Sequence, residues 1–60
     1  MNYFEVYKYD IGNDREKESI AIVSSEIKAL AIQNALQAGE NYLSPYDYRV
    51  RPIDFKQNLV

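Results

Sequence analysis

Two early segments of the chain carry the apolar patterns that are typical of β-strands. Within residues 3–9, Phe4 and Val6 alternate with Glu5 and three tyrosines, so the two kinds of residue occupy opposite faces of a strand. Residues 19–23 are apolar and rich in β-branched side chains, which predicts a second strand. We expect these two strands to pair as an antiparallel hairpin.

The link between the two strands is polar. Residues 11–14, of sequence Ile-Gly-Asn-Asp, are typical of a turn. Residues 15–18 are all charged, and we interpret them as a solvated connector between the turn and the second strand.

An amphipathic helix is predicted for residues 25–38. Either Ser24 or Ser25 is a favourable N-cap, the segment is rich in alanine, and Gly39 marks its end. The half expected to face the sheet contains Ile27, Ala31, Ile32, Ala35, Leu36 and Ala38. The other half contains Glu26, Gln33, Asn34 and Gln37, with Leu30 among them.

A third strand is predicted for residues 47–52, followed by a short tail over residues 53–60. The strand alternates in character and closes at Pro52, which suits a strand end or a sheet edge. A strand–helix–strand crossover makes the second and third strands parallel in direction, and the first strand fills the gap between them. The sequence therefore predicts a single α+β domain, β-β-α-β, with a three-stranded antiparallel sheet of order 2-1-3 and the helix on one face.

The strand alternation divides the sheet into two faces. The residues expected to face the helix are Phe4, Val6, Ile20, Ile22, Tyr48 and Val50. The residues expected on the uncovered face are Tyr3, Tyr7, Tyr9, Ala21, Arg49 and Arg51. Both sheet edges and this second face are open, so we expect a monomer or a weak homodimer.

Composition restricts the chemistry that the chain can perform. The 60 residues include neither Cys nor His, which excludes the usual zinc, iron–sulfur and haem ligands and any thiol or imidazole catalyst. The acidic residues lack the spacing of a calcium loop, and the two glycines form no phosphate-binding loop. We therefore expect no enzyme activity, no cofactor and no metal.

Charge and hydropathy point to a cytoplasmic protein. The net charge is −2, which disfavours general nucleic-acid binding, and the C-terminal third of the chain is more basic than the rest. No stretch has the pattern of a signal peptide or the length of a membrane span. Three tyrosines beside two arginines suggest a protein-binding surface instead, since both residue types are enriched at interface hot spots.

The third strand carries a motif with a family resemblance. Its Arg49-Val50-Arg51-Pro52 run resembles the strand end of the small inhibitor of bacterial RNA polymerase made by T-odd coliphages. The chain is also similar to that family in length, in element order and in the apolar second strand that leads into an alanine-containing helix. The resemblance implies that Arg49 and Arg51 grip the β′ jaw of host RNA polymerase and obstruct promoter opening. The family also uses an acidic residue that closes the first strand, and Asp10 is the residue that matches it here.

We therefore expect a non-enzymatic, phage-type binding protein that inhibits host RNA polymerase by occlusion. The expected partner-binding residues are Arg49, Arg51, Tyr3, Tyr7, Tyr9 and Asp10. One alternative is inhibition of another host machine, such as a nuclease or a CRISPR effector. Another is a small nucleic-acid-binding module that stacks bases on the Tyr and Arg side chains. A small accessory subunit of Gram-positive RNA polymerase is similar in fold, which leaves accessory function open as well.

Overall fold

A computed structural model describes residues 2–41 and 43–54 of the chain. Its elements are β1 (Asn2–Asp10), β2 (Arg15–Val23), α1 (Glu26–Ala38) and β3 (Tyr46–Asp54). The three strands form one antiparallel sheet in the order β2-β1-β3, and α1 packs on one face of it. The predicted β-β-α-β fold and strand order are therefore confirmed.

β2 begins four residues earlier than predicted, at Arg15. The interpretation of residues 15–18 as a connector is wrong, because these residues belong to β2, and Arg15, Glu16 and Glu18 pair with β1. Arg15 lies opposite Asp10 and Glu18 lies opposite Lys8, so oppositely charged side chains face one another across the two strands. Such cross-strand pairs stabilise the first, solvent-exposed half of β2, which has no apolar residue to bury.

β3 is also longer than predicted and passes through Pro52. Pro52 lies opposite Phe4 on β1, and the strand continues to Asp54. An edge strand tolerates proline, because only one of its sides needs backbone donors for a neighbouring strand. Ile53 and Asp54 therefore belong to β3 and not to the predicted tail, whose remaining residues 55–60 lie outside the described residues.

The predicted facing of β2 is wrong. The register between β1 and β2 shifts by one residue after Val6, and Ile20 is left without an opposite residue on β1. Beyond this shift Ala21 lies opposite Val6, on the helix side, and Ile22 lies opposite Glu5, on the uncovered side. Ile20 is 37% exposed and Ile22 is 44% exposed, so neither joins the buried core.

The core between sheet and helix is thin. Val6 and Ala29 are fully buried, and Tyr48 is buried to 6% exposure. Phe4 and Val50 lie on the same face as Val6, as predicted, and are half-buried. Ala29 has only a methyl side chain, which lets a helix lie close to a sheet. The fully buried Ala29 of α1 and Val6 of β1 mark the centre of the core.

The helix presents a different side to the sheet than predicted. Ile27 is 80% exposed and Leu30 is 42% exposed, while Ile32 and Leu36 are half-buried as expected. The buried side is centred on Ala29. Three alanines of the predicted apolar half are exposed, and they are Ala31, Ala35 and Ala38.

The helix bounds follow its capping residues. Ser25 is extended, with φ −127° and ψ 129°, so it is the N-cap and lies just outside the helix that was predicted to include it. Its hydroxyl oxygen accepts a hydrogen bond from the backbone N–H of Lys28 over 3.3 Å. At 13 residues, α1 is too short to cross a bilayer, and the described part of the chain holds no longer helix.

Two glutamines explain the orientation of the helix. Gln33 Nε2 donates to the backbone oxygen of Tyr48 over 2.7 Å, and the backbone N–H of Tyr48 donates to Gln37 Oε1 over 3.0 Å. These two side chains are one helical turn apart and so reach the same residue of β3. They satisfy backbone groups on the edge strand. Gln33 is half-buried there, while Gln37 stays exposed and reaches β3 from the border of the packed side.

Candidate protein-binding face

The side of the sheet that faces away from α1 brings together aromatic and charged side chains from all three strands. We call this surface the Tyr/Arg face. Alternation along each strand and the pairing of the strands assign to it Tyr3, Glu5, Tyr7, Tyr9, Glu16, Ile22, Asp47, Arg49 and Arg51. Five of the six predicted partner-binding residues thus share one surface.

Arg51 ties the three strands of this face together. Its Nε donates to Glu5 Oε1 over 2.8 Å, and its Nη1 and Nη2 donate to the two oxygens of Glu16 over 2.6 and 3.0 Å. The guanidinium also lies over the ring of Tyr7, 4.4 Å from its centroid. Since Glu5 is on β1 and Glu16 is on β2, a single side chain of β3 spans the sheet.

Arg49 has a similar aromatic support but fewer hydrogen bonds. Its guanidinium lies over the ring of Tyr9, 3.8 Å from the centroid, and its Nε donates to Asp47 Oδ2 over 3.0 Å. The Tyr9 hydroxyl in turn donates to Asp14, in the turn between β1 and β2. Stacking on a ring and one carboxylate contact hold the Arg49 side chain in a defined direction.

The ionised forms of these groups stabilise one another. The hydrogen bonds that Arg51 donates to Glu16 and Glu5 raise the pKa of Arg51, and the bond that Arg49 donates to Asp47 raises the pKa of Arg49. The pKa of Glu5 lies below its ordinary value, first because the Ser19 hydroxyl donates to it and then because Arg51 does, although burial opposes both effects. These contacts therefore favour the charged forms of Arg51, Arg49 and Glu5.

Asp10 is the one predicted partner-binding residue that the structure places elsewhere. It lies on the helix side of β1 and is 7% exposed. Its carboxylate accepts hydrogen bonds from the backbone N–H of Asn13, over 3.2 Å, and from Asn13 Nδ2, over 2.8 Å. These bonds lower the pKa of Asp10 and close the turn over residues 11–14, which was correctly predicted.

The described residues contain no enclosed site. No cavity is found among residues 2–41 and 43–54, and within the same ranges no group of three or more acidic side chains is placed to hold a metal ion. The Tyr/Arg face is an open surface without a pocket, which suits contact with another macromolecule rather than enclosure of a small molecule.

Sequence reasoning missed the acidic partners of the two arginines. The alternation along β1 does put Glu5 beside the tyrosines, but pairing it with Arg51 required the register between β1 and β3. The contact between Glu16 and Arg51 was not predicted, because Glu16 lies in the segment that was interpreted as a connector. Asp47 is two residues from Arg49 on one strand, and this spacing was the available signal for their contact.

Comparisons of the chain with protein-family models, curated proteins and solved structures found no match.

Proposed function

We propose that this chain is a non-enzymatic binding protein that docks its Tyr/Arg face on another protein. The observation that carries the proposal is the support of two arginines on two tyrosine rings, with Arg51 over Tyr7 and Arg49 over Tyr9. Side chains held in this way lose less conformational entropy on binding than free arginines do. Tyr and Arg are also the residue types that dominate interface hot spots.

The proposed target is bacterial RNA polymerase, and the proposed mechanism is inhibition by occlusion in the cytoplasm of a phage-infected cell. The support for this target is the Arg49-Val50-Arg51-Pro52 run on an edge strand, together with the β-β-α-β order that the coliphage inhibitors resemble. A rigid sheet on the polymerase surface would prevent promoter DNA from reaching its path. Another host machine, such as a nuclease, is the alternative target for the same face.

The charges of the face favour a protein partner over nucleic acid. Its two guanidinium groups are accompanied by three carboxylates, those of Glu5, Glu16 and Asp47. A nucleic acid presents a series of phosphates, and each of them would meet this negative charge. A protein surface can offer single acidic groups at chosen points and apolar groups for the exposed Ile22.

The test is a titration of purified bacterial RNA polymerase holoenzyme with the full chain, alongside an assay of open promoter complexes. We expect micromolar or tighter binding and a loss of open complexes at the same concentrations. Arg49→Ala should weaken both effects. Lys28→Ala is the matched control, because it removes one positive charge from an exposed position on α1.

Two results would contradict the proposal. Absence of binding at micromolar concentrations would remove RNA polymerase as the target and redirect the search to host defence nucleases. Salt-dependent binding of single-stranded oligonucleotides that is as tight as any protein binding would replace the protein-binding proposal with the nucleic-acid module.

A further inference from the structure

The two arginines of the Tyr/Arg face differ in the hydrogen-bonding capacity that they have left. Arg51 uses Nε on Glu5 and both Nη atoms on Glu16. Arg49 uses Nε on Asp47, and among the residues that the structure describes no hydrogen bond from its Nη1 or Nη2 is found. The Tyr9 hydroxyl also interacts with this guanidinium, but it donates its own proton to Asp14. A guanidinium pairs with a carboxylate most strongly through two parallel N–H donors, and Arg49 retains such a pair.

Arg49 and Arg51 are similarly exposed, but their guanidinium groups point in different directions. The side chains of Arg49 and Arg51 are 42% and 40% exposed. The fork of Arg51 points across the sheet at Glu16, and a partner could use it only by displacing that carboxylate. Arg49 is held from one face by the Tyr9 ring and from its Nε side by Asp47, which leaves the Nη edge as its open side.

We propose that Arg49 alone receives a carboxylate of the partner protein, through Nη1 and Nη2, and that Arg51 is a positioning residue that keeps β1, β2 and β3 in place beneath it. The inference rests on the proposed protein-binding function. It departs from the equal roles that the family resemblance implies for the two arginines.

A carboxylate fits this site better than a phosphate chain does. The open edge of Arg49 offers two donors, which match the two oxygens of a single Asp, Glu or C-terminal carboxylate. A phosphate could also accept from both donors, but the Asp47 carboxylate on the Nε side would repel the greater negative charge of a phosphate. The carboxylates of Glu5 and Glu16 would repel any phosphates that follow along a nucleic-acid strand.

The first test uses the full chain without any partner. Arginine side-chain N–H signals of the ¹⁵N-labelled protein are followed during titration with sodium acetate, and sodium chloride at equal ionic strength serves as the control. We expect a saturable shift of the Arg49 signals with acetate and no saturable shift of the Arg51 signals. Equal shifts of both arginines, no shift of either, or a stronger response to inorganic phosphate than to acetate would overturn the proposal.

The second test separates the inference from the identity of the target. With RNA polymerase holoenzyme, Arg49→Ala and Arg49→Lys should each weaken binding by about 30-fold or more, since lysine lacks the paired donors. Arg51→Ala should lower the melting temperature and weaken binding by less than about 5-fold where the variant is still folded. A variant Arg51→Ala that melts like the wild type and binds as poorly as Arg49→Ala would overturn the assigned roles. If wild type does not bind the polymerase, the proposed target fails, and the acetate titration still decides the role of Arg49.

Discussion

Gln33 Nε2 donates a hydrogen bond to the backbone carbonyl oxygen of Tyr48 over 2.7 Å. One helical turn later Gln37 Oε1 accepts from the N–H of the same residue over 3.0 Å. Together the two side-chain amides bond the backbone N–H and the backbone carbonyl of Tyr48 on the open side of β3, as a neighbouring strand would. The helix thus covers part of a sheet edge that is otherwise available for pairing with another chain.

The first prediction follows from the opposite chemistry of the two glutamines. Gln33→Glu removes the donor and places a carboxylate against a carbonyl oxygen, so we expect it to lower the free energy of unfolding by about 1–3 kcal/mol. Gln37→Glu keeps an acceptor for the Tyr48 N–H, and its cost should stay below about 1 kcal/mol. Urea unfolding at pH 7 measures both, with the exposed Asn34→Ala on α1 as the control. Equal losses in the two variants would show that these bonds do not orient the helix.

The second prediction tests the facing of β2. Val6 is fully buried against the helix, and truncating it to Ala should cost about 2 kcal/mol or more of a stability that is only about 3–5 kcal/mol in a domain of this size. Ile22 is 44% exposed on the other side of the sheet, and Ile22→Ala should cost less than about 1 kcal/mol. The measurement is the free energy of unfolding from urea titration. A larger loss for Ile22→Ala than for Val6→Ala would mean that the register shift after Val6 is absent in solution.

The third prediction concerns the ion pair that crosses the sheet. A double-mutant cycle with Arg51→Ala and Glu16→Ala should give a coupling energy of about 0.3–1 kcal/mol, because both side chains are about half exposed and water weakens their attraction. Raising the salt concentration from about 0.05 M to about 1 M should reduce this coupling. A coupling that is zero at low salt would show that Arg51 is not held by Glu16.

The fourth prediction is a loss of stability at acid pH. The pKa values of Glu5 and Glu40 lie below their ordinary value of 4.5, the first mainly through Ser19 and the second mainly through the Tyr48 hydroxyl. The pKa of Asp10 lies below its ordinary value of 3.8, mainly through the Asn13 side chain. A carboxyl group whose pKa is lower in the folded protein than in the unfolded chain stabilises the fold at pH values above its unfolded-state pKa. This stabilisation is lost as the pH falls through the folded-state pKa. Urea midpoints should therefore fall steadily below pH 4.5, and Glu40→Gln should make that fall shallower.

The corresponding loss at alkaline pH comes from tyrosine. Glu40 accepts from the Tyr48 hydroxyl over 2.7 Å and raises its pKa above the ordinary 10.0, and Asp14 raises the pKa of Tyr9 in the same way. A tyrosine whose pKa is higher in the folded protein than in the unfolded chain stabilises the fold at pH values below its unfolded-state pKa. This stabilisation is lost as the pH rises through the folded-state pKa. Unfolding midpoints should fall above pH 10, less steeply in Tyr48→Phe than in wild type. Identical alkaline profiles for the two proteins would contradict the role of the Tyr48–Glu40 bond.

Local sequence signals determined the order and kind of the elements. The alternation in residues 3–9, the Ile-Gly-Asn-Asp turn and the Ser25 cap are short-range features, and each acts through neighbouring residues along the chain. The connection rules for strands and helices made β2 and β3 parallel in direction and left room for β1 between them, which is the observed order. The same alternation placed Val6 in the core and both arginines on the uncovered face, and these assignments agree with the structure.

Only the tertiary structure decided which sides β2 and α1 present to the core. Every residue from Ile20 to Val23 is apolar, so the alternation of side chains along β2 does not show which of them face the helix. The one-residue register shift after Val6 places Ala21 on the helix side and Ile22 on the uncovered side. In α1, apolar residues surround most of the helix, and the bonds from Gln33 and Gln37 to Tyr48 select the orientation. The partners of Arg51 depend on register across three strands, because Glu5 and Glu16 lie 46 and 35 residues away along the chain. Contacts between such distant residues are set by packing and pairing, which no local pattern encodes.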